Sequence, residues 1–300
     1  MKEGRVMAFG PLVTAMVTPF TKEDTIDFPV VTTLVEHLIE TGSTGIVVSG
    51  TTGESPTLTT DEKLQLLSHV IKTVNGRVHV IAGTGGNNTK SSIELTKKAE
   101  ELGADAVMLV TPYYNKPSQE GMYQHFAAIA NSTKLPVLLY NIPGRSVVNM
   151  ETETVVRLSK IENIVAIKEA SGNLAQMTNI IRETDDDFVL YSGDDGITLP
   201  VLSIGGVGVV SVASHIAGKE MTTMINEFNN GNFAVSSVIH GMLEPVIEAL
   251  FMAPNPTAVK EALKIQGIDV GSVRLPLVPL TNEQELKLNK ALEGLKKLNN

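Results

Sequence analysis

Lys168 stands where a lysine is costly. It follows four apolar residues in IVAIKEASG, a run that reads as a strand buried on both faces. An ammonium buried there loses several kcal/mol unless it is paired or gives up its proton. Desolvation lowers its pKa, and the free amine is then a nucleophile toward carbonyl carbons. A strand-end lysine that leans into solvent or pairs with Glu169 fits the same stretch. Tyr140 closes PVLLY one strand–helix unit earlier, so adjacent strands would bring a phenol and an amine to one mouth.

Other groups follow neighbouring apolar runs. Thr51 and Thr52 come after GIVVSG, Thr84 after VHVIAG, Tyr113 and Tyr114 after AVMLVT, and Asp194 after FVLYSG. A proton shuttle beside an amine needs relays, and Thr51 and Tyr114 are placed to serve. A core tyrosine with a satisfied hydroxyl is the plainer account of Tyr140. Arg145, in the Pro-Gly turn of NIPGRS, is either a surface arginine or a guanidinium that grips a substrate carboxylate. Common cofactor motifs fail. GTGGNN (83–88) lacks the last glycine of a dinucleotide fingerprint, and Lys90 lacks the preceding glycine of a phosphate loop. The six histidines, at 37, 69, 79, 125, 215 and 240, form no pair at metal-ligand spacing. The acidic run Asp185–Asp187 reads as a solvated turn.

Elements that could carry these groups recur along the chain. Eight Val- and Ile-rich runs, at 12–17, 45–50, 78–83, 106–111, 136–141, 164–169, 188–193 and 206–212, alternate with helical patterns such as 28–42, 59–74 and 89–103. Eightfold alternation predicts a (β/α)8 TIM barrel, with an open doubly wound sheet as the competitor. Gly42 and Gly103 mark helix ends. After residue 218 the pattern is helical to the end, so the expected layout is a barrel core over 1–218. Residues 219–300 then hold the last barrel helix and a C-terminal helical extension packed as one unit with it.

A formal charge of −9, from 24 Lys and Arg against 33 Asp and Glu, disfavours nucleic acid or an anionic membrane as partner. An acidic protein that takes an anionic metabolite needs a local cation, which draws attention to Lys168 and Arg145. With no cysteine, disulfides, thiolate catalysis and cysteine-based metal sites are excluded. The N-terminus reads as a strand rather than a signal peptide, and no stretch approaches 18 uninterrupted apolar residues. A cytoplasmic location is expected.

On TAMVTPF (14–20), GTTGESPTL (50–58), GTG (83–85), VTPYYNKPSQEGMYQHF (110–126), YNIPGR (140–145), IKEASGN (167–173), SGDD (192–195) and PNPTAVK (254–260), the chain resembles the class I pyruvate-dependent aldolase/lyase superfamily. Within it, the chain is similar to the dihydrodipicolinate (4-hydroxy-tetrahydrodipicolinate) synthase family. The resemblance implies a Schiff base between Lys168 and pyruvate, addition of its enamine to L-aspartate 4-semialdehyde, and release of the cyclised product. It implies proton relay by Tyr140, Thr52 and Tyr114, with Tyr114 supplied across a dimer interface, and Thr51 and Thr52 holding the pyruvate carboxylate. Arg145 would bind the semialdehyde carboxylate, and Gly193 and Val210 would line the site. No metal or organic cofactor is implied, and the assembly would be a dimer of dimers.

Sialic-acid and 2-keto-3-deoxy-sugar-acid aldolases of the same superfamily are the alternatives, and a non-catalytic keto-acid-binding barrel is the alternative from another class. Thr51 and Arg145 favour the synthase. Lysine-inhibited bacterial relatives carry two histidines and a glutamate at positions that resemble Thr60, Lys63 and Ser91 here, while Ser55, Asn87 and Tyr113 remain. A cation at Lys63 and a missing carboxylate disfavour a dibasic ligand. Little or no feedback by L-lysine is therefore expected.

Overall fold

The computed structural model describes residues 8–298; the first seven residues of the N-terminus read above as a strand, and the last two of the expected 219–300 extension, lie outside them. The eight apolar runs form β1 (Leu12–Ala15), β2 (Gly45–Val48), β3 (His79–Gly83), β4 (Ala106–Val110), β5 (Val137–Asn141), β6 (Ile164–Glu169), β7 (Val189–Ser192) and β8 (Gly208–Ser211). They pair in parallel in chain order and close, β1 against β8. The fold is the expected (β/α)8 barrel.

Its strands are apolar on both faces because both are covered. Val13, Val47, Ile81, Met108, Leu138, Tyr140, Ala166, Tyr191 and Val210 fill the interior. Their neighbours in sequence, such as Leu139, Ile167 and Leu190, join the layer between barrel and helices. This period of two decides which strand-end side chains can meet inside the mouth.

The helices are α1 (Phe28–Glu40), α2 (Thr60–Val74), α3 (Thr89–Leu102), α4 (Gln119–Ala130), α5 (Pro143–Ser146), α6 (Thr152–Leu158), α7 (Leu174–Glu183), α8 (Thr198–Ser203), α9 (Ser214–Asn229), α10 (Phe233–Phe251), α11 (Thr257–Ile265) and α12 (Asn282–Leu298). Local chemistry sets their ends. Thr59 and Glu62 form a capping box on α2, and Gly103 ends α3 at φ +89°. The Pro-Gly turn carrying Arg145 is instead the single helical turn α5, with proline at its start where a missing N–H does no harm. Four residues are too few to show a helical period. The expected boundary at 218 falls inside α9, next to the non-helical Ala217 (φ −127°, ψ 37°). Among the described helices α10 alone is long and apolar enough to cross a membrane, yet it packs against α9 and α12.

The C-terminal helices reach back to the barrel mouth. The α11 residue Lys260 forms an ion pair with Glu54 at 2.6 Å, both side chains at most 2% exposed, and donates to the Ser272 carbonyl at 2.8 Å. Glu54 also accepts from the Arg274 backbone N–H at 2.8 Å. The Arg274 guanidinium pairs with Glu62 at 2.6 Å and Asp24 at 2.9 Å, and that bond holds the Glu62 carboxyl down at about 2. Burial lowers Lys260 to about 8, against the pull of Glu54. Both cations lie 4.3 Å from the centroid of the Phe20 ring.

Candidate active site

Tyr140 on β5 and Lys168 on β6 are register partners, and Tyr191 on β7 is the next. All three point into the barrel. Lys168 is 4% exposed, with Nζ 4.2 Å from the centroid of the Tyr140 ring. Burial lowers its pKa to about 8; the Asp195 carboxylate opposes this and the Arg145 charge adds to it. Burial raises Tyr140 to about 12, against a hydrogen bond with Thr51 and the charge of Arg145. At neutral pH the phenol keeps its proton, while a useful fraction of the amine is free. Gly193 gives the lysine its room: a Cβ there would lie 2.7 Å from the Ala170 Cβ and 3.1 Å from the Lys168 Cε.

A cavity of about 210 Å³ opens at this end of the barrel. Its wall includes Ser49, Thr51, Gly83, Met108, Val110, Tyr113, Tyr140, Ile142 and Arg145, so a largely apolar chamber meets a few convergent polar groups. Arg145 is exposed on α5 at the rim. Among the described residues no protein acceptor takes the N–H of Thr51 or Thr52, and Thr51 lines the cavity.

The structure brings together Lys168, Tyr140, Thr51 and Arg145, and sets Gly193 against the lysine. Val210 is inside the barrel, in the layer that holds Tyr140 and Tyr191. Thr52 departs from the expectation. Its hydroxyl accepts a 2.8 Å bond from Asn255 Nδ2, and its side chain is buried away from the cavity wall. The group beside the phenol is Thr51, which hydrogen-bonds Tyr140 and lines the cavity from the turn that follows β2. Tyr114 is 89% exposed with φ +73° and reaches nothing in its own cavity, whereas Tyr113 lines it.

Sequence reasoning missed other participants. Asp195 rather than Asp194 carries the buried charge: Asp194 caps a turn at the surface, while Asp195 Oδ2 accepts from the N–H groups of Val212 and Ala213 at 3.0 Å each. Two adjacent aspartates give no hint which will turn inward. Ser49 lines the cavity in a left-handed conformation (φ +57°), uncommon for a non-glycine residue; ending an apolar run was its only signal.

A second cavity of about 330 Å³ shares Ser55, Pro56, Gly85 and Tyr113 with the first, and Thr60, Lys63, Asn87, Ser91, Glu94 and Lys98 also line it. The positions singled out for lysine regulation thus share one chamber. Desolvation lowers the pKa of Lys63. A carboxylate does reach the wall, but it is Glu94, which is exposed.

The sequence profile of the dihydrodipicolinate synthetase family matches residues 8–295. The 4-hydroxy-tetrahydrodipicolinate synthase of Bacillus subtilis is 60% identical over 290 residues, covering 96% of this chain and all of that protein. The dihydrodipicolinate synthase structure from Bacillus anthracis superposes with a TM-score of 0.94 at 61% identity, covering 95% of this chain and 98% of that one. A synthase from Cyanidioschyzon merolae, solved with lysine bound, gives 0.95 at 49% identity, covering 96% and 99%.

Proposed function

Since the chain belongs to the dihydrodipicolinate synthetase family, we propose that its site works as follows. The chain is a lyase that joins pyruvate to L-aspartate 4-semialdehyde and yields 4-hydroxy-tetrahydrodipicolinate. One observation carries the mechanism: a buried amine lies against a protonated phenol, 4.2 Å from Nζ to the ring centroid. The Lys168 amine adds to the keto carbon of pyruvate, and loss of water leaves a Schiff base. Its cationic nitrogen draws electrons from the methyl group, which gives up a proton and becomes an enamine carbon. That carbon bonds to the aldehyde carbon of the semialdehyde, whose oxygen takes a proton. The substrate amine then displaces the lysine, closing the ring and freeing Lys168. The lysine is the electron sink, so the sequence of steps calls for no metal or organic cofactor.

Tyr140 supplies and recovers protons in these steps, with Thr51 as the next member of the relay. The N–H groups of Thr51 and Thr52 and the Thr51 hydroxyl hold the pyruvate carboxylate. Tyr114 extends the relay of a second copy in a dimer of dimers, which accounts for its exposure here. Arg145 pairs with the semialdehyde carboxylate. Turnover of pyruvate with the semialdehyde, compared with N-acetylmannosamine as acceptor, tests the assignment; preference for the sugar would overturn it.

In the same assay Arg145→Ala lowers kcat/KM for the semialdehyde by roughly 10- to 100-fold, the loss of a charged hydrogen-bonding partner. Borohydride trapping of pyruvate stays intact. Abolished trapping would show that Arg145 serves the first substrate instead. Sub-millimolar L-lysine leaves turnover unchanged, because two cations, Lys63 and Lys98, line the chamber against one carboxylate, the exposed Glu94, and disfavour a dibasic ligand. Inhibition at that concentration would refute this account of the second cavity.

A further inference from the structure

The residues that follow the amine and the phenol are themselves a pair. Asn141 and Glu169 are the next register partners after Tyr140 and Lys168, and alternation turns them outward, beneath the helices. Both are fully buried. Asn141 Nδ2 donates to Glu169 Oε2 at 2.9 Å, and Gln176 Nε2 from α7 donates to the same oxygen at 3.0 Å. The Ser171 N–H donates to Oε1 at 2.7 Å. The Asn141 amide is held as well: its Nδ2 reaches Asn149 Oδ1 at 2.8 Å, and its Oδ1 accepts from the Met150 N–H at 3.0 Å. None of these groups has a part in the chemistry above.

The β5–β6 ladder has a local fault. Its register shifts between Val137 and Leu138, upstream of the reactive pair. Backbone pairing alone leaves a slip of one residue open there, and such a slip would turn Tyr140 out of the barrel. A carboxylate surrounded by fixed N–H donors accepts one arrangement of the two strand ends and penalises the others.

We propose that Glu169 and Asn141 are positioning residues, a clasp on the outer face of the barrel that fixes the β5–β6 register and so holds the Tyr140 phenol against the Lys168 amine. The proposal rests on the roles given to Lys168 and Tyr140 above. Borohydride trapping of pyruvate on Lys168 in the parent enzyme checks those roles separately, so their failure is distinguishable from failure of the clasp.

The test uses Asn141→Asp, Glu169→Gln and the exchanged double variant. In Asn141→Asp two carboxylates face each other. They can share a proton at low pH but repel once both ionise. Its kcat therefore falls as pH rises through the range where the parent stays active, by on the order of 10- to 100-fold, the effect of a misplacement near 1 Å. KM for pyruvate changes little. The exchanged variant again sets one amide against one carboxylate and recovers most of the lost kcat. Glu169→Gln keeps the Asn141 contact but opposes an amide to the Ser171 N–H, and falls between. Parent-like kcat and pH profiles in the folded single variants, with only a lower melting temperature, would overturn the proposal. So would failure of the exchange to restore kcat. If Asn141→Asp does not fold, an exchanged variant that folds and turns over supports the clasp, and one as poor as Glu169→Gln refutes it.

Discussion

Lys168→Met is expected to lower the condensation rate by roughly 10⁴-fold or more, the scale seen when a catalytic nucleophile is removed. Pyruvate and borohydride leave no adduct on the variant, whereas in the parent the adduct maps to the peptide containing Lys168. Stability does not fall, because burial works against the ammonium and methionine fills a similar volume without a charge. The same burial sets a pH dependence. With the folded pKa at about 8, roughly a tenth of the amine is neutral at pH 7, against about one part in three thousand for an ordinary lysine. The neutral form is the nucleophile, so Schiff-base formation rises about tenfold per pH unit below that pKa and levels off above it. A rate independent of pH from 6 to 9 would contradict the assignment, as would an adduct on another lysine.

The second large effect is on stability. Lys260→Met leaves Glu54 buried without its cation, a loss of about 3–5 kcal/mol. The melting temperature drops by roughly 5–15 °C. Glu54 is two residues from Thr52, and Asn255 holds the Thr52 hydroxyl, so catalysis declines together with stability. The double variant Lys260→Met with Glu54→Gln removes both charges while an amide oxygen can still accept from the Arg274 N–H. It recovers most of the lost melting temperature. Equal damage in the single and double variants would show that packing of the lysine stem, rather than the unpaired carboxylate, is what matters.

The barrel was legible because parallel strands covered on both faces leave long Val- and Ile-rich runs, and all eight runs became strands. A helix end was legible where a cap residue marks it, as at Gly103. Lys168 and Tyr140 announced themselves as polar groups closing apolar runs. Choices between neighbours were harder. Thr51 against Thr52, and Asp194 against Asp195, depend on which way a short turn faces, and composition is the same either way. Lys260 was hidden for another reason. In TAVKEALK it reads as an ordinary helix-surface lysine, and only the docking of α11 on the barrel mouth buries it.

That docking joins parts of the chain made far apart in time. Thr52 and Asn255 are separated by 203 residues, which a ribosome takes about 10–40 s to add at 5–20 residues per second. Throughout that interval the loop bearing Thr51 and Thr52 lacks the amide and the cation that fasten it. The nascent chain can form its early strands while the end of the barrel that bears Thr51 stays loose. The fastening therefore arrives with α11, so a translation product interrupted before it lacks the amide and the cation that hold this loop.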